Sequence, residues 1–110
     1  MIPWTTPTHE LTVRGVDLTG YDVYVDYKQG SKSIHIEAAD VQAVTTETTT
    51  DTTVTVELTQ EQTGAFSPER AVDVQVNWVT PDGKRDATTV KQIQNGRQLY
   101  EKELAYGDTA

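Results

Sequence analysis

Tyr21-Asp22-Val23-Tyr24-Val25-Asp26-Tyr27-Lys28 and Val72-Asp73-Val74-Gln75-Val76-Asn77-Trp78 are the two stretches of this chain whose reading decides the fold. In both, bulky or β-branched residues alternate with polar ones. Successive side chains on a strand point to opposite faces, so a period of two predicts a strand with one face in a core and the other toward water. Tyr21, Val23, Val25 and Tyr27 share the inward face of the first, with Asp22, Tyr24, Asp26 and Lys28 outward. In the second, Val72, Val74, Val76 and Trp78 point in and Asp73, Gln75 and Asn77 point out.

Both stretches continue into hairpin signals. Lys28-Gln29-Gly30-Ser31-Lys32 is a polar turn whose glycine can take positive φ, and the chain returns with Ile34 and Ile36 inward and His35 and Glu37 outward. Thr80-Pro81-Asp82-Gly83-Lys84 places proline and Asp-Gly where a tight turn needs them, which predicts a return strand from about Arg85 to Gln94. Upstream, Leu11 and Val13 mark a strand over His9–Arg14. Val54, Val56 and Leu58 mark another, and the threonine-rich tract before it reads as an exposed edge strand and its loop. Thr59-Gln60-Glu61-Gln62 has the form of a capping box, which predicts a helical turn over about Gln60–Gly64 with Phe66 plugging the core behind it. Asn95-Gly96 is a further turn, followed by a last strand around Leu99 to Leu104.

About seven strands near ten residues apart, with one short helical turn, predict an all-β fold: an antiparallel, immunoglobulin-like β-sandwich, with a small β-barrel as the alternative. Three parts are expected: an extended N-terminal arm over residues 1–8, one sandwich domain over 9–106 and a flexible tail over 107–110. Pro3 and Pro7 hold the arm extended and Trp4 gives it an apolar anchor, which makes Trp4, Pro3 and Pro7 candidate assembly contacts. The expected core is Val23, Val25, Ile34, Ile36, Val54, Val56, Leu58, Phe66, Val72, Val74, Val76 and Trp78.

Composition narrows the function. Thirteen valines and nineteen threonines favour strands, and 110 residues are room for one core. A formal charge of -8 repels a phosphate backbone, so no nucleic-acid partner is expected. Cysteine is absent, which removes disulfides, thiol nucleophiles and thiolate metal sites. With no long apolar run and no basic segment leading into one, neither a membrane partner nor a secretory signal is expected. Ser31, Ser33 and Ser67 with His9 or His35 are the candidates for a nucleophile and its base, and none sits in a nucleophile elbow. Asp22 and Asp26 share a strand face about 13 Å apart, too far for one ion or a retaining glycosidase pair. No catalytic residue, metal ligand or cofactor is therefore expected, and the chain reads as a non-enzyme. Tyr24, Tyr100 and Tyr106 are the candidate aromatics for a ligand platform.

The Met-Ile-Pro start followed by Thr-Thr-Pro-Thr, the Val23–Gln29 strand, Leu58-Thr59-Gln60-Glu61-Gln62-Thr63 with Phe66, and the Val72–Trp78 strand with its Asp-Gly hairpin together resemble a family of small tail- or baseplate-associated proteins of phages and prophages of Gram-positive hosts. The pattern is also similar to the N-terminal domain of upper baseplate proteins. The family more often has Thr-Phe at Asp26-Tyr27, and Glu-Thr directly after the Thr-Gln pair, where here Gln62 intervenes. The resemblance implies a structural interaction module of the virion tail, made in the host bacterial cytoplasm. Its implied partners are other phage tail or baseplate proteins, with a homo-oligomer and a host cell-surface glycan as further candidates. The alternative function is a carbohydrate-binding module that helps the virion attach to its host.

Overall fold

The computed structural model describes residues 1–99 and Tyr106. Tyr100, most of the expected final strand and the tail over 107–110 lie outside the described residues.

Eight strands are present among them: β1 (Thr8–Val13), β2 (Asp22–Gln29), β3 (Lys32–Ile36), β4 (Gln42–Thr45), β5 (Thr52–Glu57), β6 (Val72–Val79), β7 (Arg85–Ala87) and β8 (Lys91–Ile93). A 3₁₀ turn occupies Ala38–Asp40, and one helix, α1 (Gln60–Gly64), lies between β5 and β6. The strands form two antiparallel sheets: one ordered β1-β5-β4, and a larger one ordered β3-β2-β6-β7 in which β8 also pairs with β6. The chain changes sheet three times, between β1 and β2, β3 and β4, and β5 and β6. That strand order is the Greek-key arrangement of an immunoglobulin-like sandwich, and the sheets do not close into a barrel.

The two deciding stretches are direct neighbours. β2 and β6 pair from Asp22↔Val79 to Lys28↔Asp73, which puts Val23 opposite Trp78, Val25 opposite Val76 and Tyr27 opposite Val74 on the inward face. These six residues are buried, together with Val54 and Val56 from the facing sheet and Leu58 just after its strand β5. Each such side chain contributes roughly 1.5–3 kcal/mol when fully buried. Of the expected core only Ile34 is half-buried, packed on the rim. Val13 and Leu18 join the core, and Phe66 closes the end beside α1.

The turn chemistry acts as expected at both hairpins. Gly30 takes φ 59° in the two-residue loop between Gln29 and Lys32. Gly83 takes φ 87° in the β6–β7 loop, where its amide donates to Thr80 O at 2.9 Å. In α1 the capping box is complete: the Gln62 amide donates to Thr59 Oγ1 and the Thr59 amide to Gln62 Oε1.

Three local expectations differ. The single return strand over 85–94 is broken into β7 and β8. Asn77 faces Ala87 but Val74 faces Lys91, so Gln75 and Val76 oppose the three residues Thr88–Val90. This is a one-residue bulge. Thr88 builds it, because its hydroxyl accepts from the Val76 amide while its backbone carbonyl accepts from the Gln75 side chain. The N-terminal arm is not extended throughout. It turns at Pro3–Trp4, where Trp4 adopts φ 62° and Thr5 Oγ1 donates to Ile2 O, and β1 begins at Thr8. Finally, Thr52 of the threonine tract is buried, with its hydroxyl donating to Val16 O at 2.7 Å and accepting from the Leu18 amide.

Candidate functional site

The β2–β6 register that fills the core also sets the outer face. Tyr24 lies opposite Asn77 and Asp26 opposite Gln75, and on the other side of β2 the register with β3 puts Asp26 opposite His35. One strand further, Arg85 at the start of β7 pairs with Val79. Together they line a shallow cleft of about 510 Å³ with Tyr24, Asp26, His35, Glu37, Gln75, Asn77, Val79 and Arg85 in its walls.

Hydrogen bonds run across this face in one chain. His35 Nδ1 donates to Asp26 Oδ1 at 2.5 Å, and Asn77 Nδ2 donates to Asp26 Oδ2 at 3.0 Å. Arg85 Nη2 donates to Asn77 Oδ1 at 3.1 Å. Gln75 is tied to the Thr88 carbonyl. Both oxygens of Asp26 and both ends of the Asn77 amide are thus engaged, and Asn77 is buried. Asp26 and Asn77 serve as supports, and a support with its bonds satisfied fixes the rotamers of its neighbours. The groups presented to solvent are the His35 ring, half exposed, and the Glu37 carboxylate, 71% exposed and 3.9 Å from His35 Nε2. Arg85 is exposed as well. The His35 ring stacks on Tyr24 with centroids 5.3 Å apart and planes 19° from parallel.

An Asp–His pair invites comparison with a hydrolase triad. Nucleophilic catalysis needs a hydroxyl on the far imidazole nitrogen, and here that nitrogen faces Glu37. Among the described residues no three His, Cys, Asp or Glu side chains converge as a metal site requires. No described helix is long and apolar enough to cross a membrane.

The sequence-derived site residues fall in different places. Tyr24 is in the cleft, Tyr106 is fully exposed, and Tyr100 lies outside the described residues. The aromatic partner of Tyr24 is His35, which alternation placed outward without pairing it. The arm residues lie outside the cleft, where Pro3 and Trp4 line a separate hollow with Lys32, Gly64, Phe66 and Ser67. Pro3 is buried and Trp4 half-buried, with the indole face against Gly64 of α1. Thr63 Oγ1 donates to Thr5 O, the Leu58 amide to Pro7 O, and the Met1 ammonium to Gln94 O. The arm is therefore fastened to its own domain.

A second histidine lies in a drier setting. His9 Nδ1 meets the hydroxyl of buried Tyr27 at 2.8 Å. Burial, and then the N-terminal charge, hold the imidazole below its ordinary pKa, while burial pushes the Tyr27 phenol far above its own. This pair belongs to the core's rim.

No protein-family model, curated protein or solved structure matches the chain significantly.

Proposed function

We propose that this chain is a non-enzymatic structural and interaction module of a phage or prophage tail or baseplate, with the outer face of the five-stranded sheet as its recognition surface. The observation that carries the reading is the Asp26–Asn77 pair. Buried Asn77 needs its hydrogen bonds in any fold, but here those bonds run through Asp26 to His35 and directly to Arg85, and ordering presented side chains beforehand lowers the entropic cost of association. The family-like segments in their order along the chain supply the tail context.

The arm supports the same reading in a different way. It closes one end of the sandwich through Trp4 and leaves the outer sheet face clear of the chain's own termini as far as they are described. Mass spectrometry of tail particles purified from a bacterium carrying the gene tests the assignment. The chain is expected there at a fixed ratio to the other tail proteins. Its absence from tails, with no tail protein retained by the purified chain, would reject the tail assignment.

A further inference from the structure

We infer that the outer face binds a neutral oligosaccharide, across the line from β3 to β7. The inference rests on the reading of that face as the recognition surface and names its ligand class. Sugar rings present one side rich in C–H groups, which settles on an aromatic plane, and an edge of hydroxyls, which pairs with planar polar side chains. The cleft holds both. In the Tyr24–His35 stack each ring turns one face to the other, so the platform is the outer face of the half-exposed His35 ring, and Glu37 and Arg85 supply an acceptor and a donor. Arg85 uses Nη2 on Asn77, which leaves N–H groups of its fork for a ligand.

Other ligand classes fit less well. An extended peptide adds to a sheet through unpaired backbone, but β2 and β6, which form the floor, are each paired on both sides. Unpaired backbone remains on the outer sides of the edge strands β3, β7 and β8, so over the floor recognition is by side chains. An anionic ligand would meet Asp26 and Glu37 beside the aromatic pair and a chain of net charge -8. A neutral ligand pays no such penalty. From the β3 line to the β7 line is about 14 Å at the usual strand spacing, wider than one pyranose ring, so more than one sugar unit is engaged.

The test is titration of the full-length, isotope-labelled chain with cellotetraose, maltotetraose and chitotetraose, and with an oligogalacturonate as the acidic probe, followed by amide NMR shifts. At least one neutral probe is expected to move the amides of Tyr24, His35, Glu37 and Arg85 in a saturable way. Tyr24→Ala and Arg85→Ala should each weaken that binding at least tenfold while amide spectra elsewhere stay unchanged. Asn77→Asp, which keeps the shape but sets a second carboxylate against Asp26, should weaken it as well. No saturable shift with any neutral probe, or shifts with the acidic probe alone, would overturn the inference. If in that event Tyr24→Ala and Arg85→Ala still abolish incorporation into tail particles, the recognition face stands and only its ligand class falls. If those variants are also incorporated normally, both fall.

Discussion

Gly64 is the position where a single methyl group separates the arm from the fold. It is the last residue of α1, and a Cβ built on it would fall within the indole of Trp4, nearest the ring-fusion atoms Cδ2 and Cε2 and the adjoining Cε3. Gly64→Ala therefore sets two terms against each other. Alanine favours the helical backbone by up to about 1 kcal/mol, less at a helix end. Against this, the indole must leave its seat. A half-buried tryptophan hides on the order of 100–150 Å² of largely apolar surface, worth about 2.5–4 kcal/mol at roughly 25 cal/mol per Å². The balance is a net loss of about 2 kcal/mol, which lowers the melting temperature of a domain this size by roughly 8–12 °C. Urea denaturation of Gly64→Ala measures it directly, and emission from Trp4 in a Trp78→Phe background should shift to the red as the ring enters water. The control is the same substitution in a chain lacking residues 1–7, where only the helix term remains and Gly64→Ala should be neutral or slightly stabilising. An equal loss in the presence and absence of the arm would refute the reasoning, because the indole would then not be what the methyl displaces.

Three further outcomes follow from the core and its rim. Val25→Ala, at a fully buried position between β3 and β6, should cost about 2–3 kcal/mol in urea denaturation with an unchanged m-value. Thr59→Ala removes the hydroxyl that receives the Gln62 amide and should cost about 1 kcal/mol by the same measurement. As pH falls through about 6.5, His9 is protonated in the unfolded chain while its buried counterpart resists, so the unfolded state binds more protons in that window. The His9 contribution to stability is thus complete above that pH and is lost below it, and melting curves between pH 7.5 and 5 should drop less steeply for His9→Gln than for the parent chain.

Most of the architecture was legible because the alternation in the Val23 and Val72 segments is strict and the Gly30 and Gly83 turns have only a few workable geometries. The capping box at Thr59 was equally readable, since every partner lies within four residues. The bulge at Thr88–Val90 was not. A one-residue insertion leaves no mark on local periodicity when the strand around it is mostly polar, and its cause is a hydroxyl bond to a residue twelve positions away. The turn at Trp4 was hidden for a related reason: proline spacing says what the backbone of Pro3 and Pro7 must do but not that Gly64 leaves room for an indole. Alternation alone places Tyr24, Asp26, His35, Glu37, Gln75 and Asn77 of the outer-face network outward, but it assigns no face to Arg85. What could not be read was their juxtaposition, because the register Tyr24↔Asn77 joins residues 53 positions apart. For the same reason Tyr24 was matched with other tyrosines, whereas the fold pairs it with His35.

The central claim is that the outer face of the larger sheet, and not the outer face of the smaller one, does the binding. The most direct measurement compares two double variants in the same tail-incorporation and oligosaccharide-binding assays: Tyr24→Ala with Arg85→Ala, and Val44→Ala with Thr53→Ala, a cross-strand pair on the outer face of the β1-β5-β4 sheet. Both variants should fold with cooperative melting. The account expects the first to lose binding and the second to keep it within about twofold. Loss confined to the Val44 and Thr53 variant, with Tyr24→Ala and Arg85→Ala binding as the parent does, would contradict it.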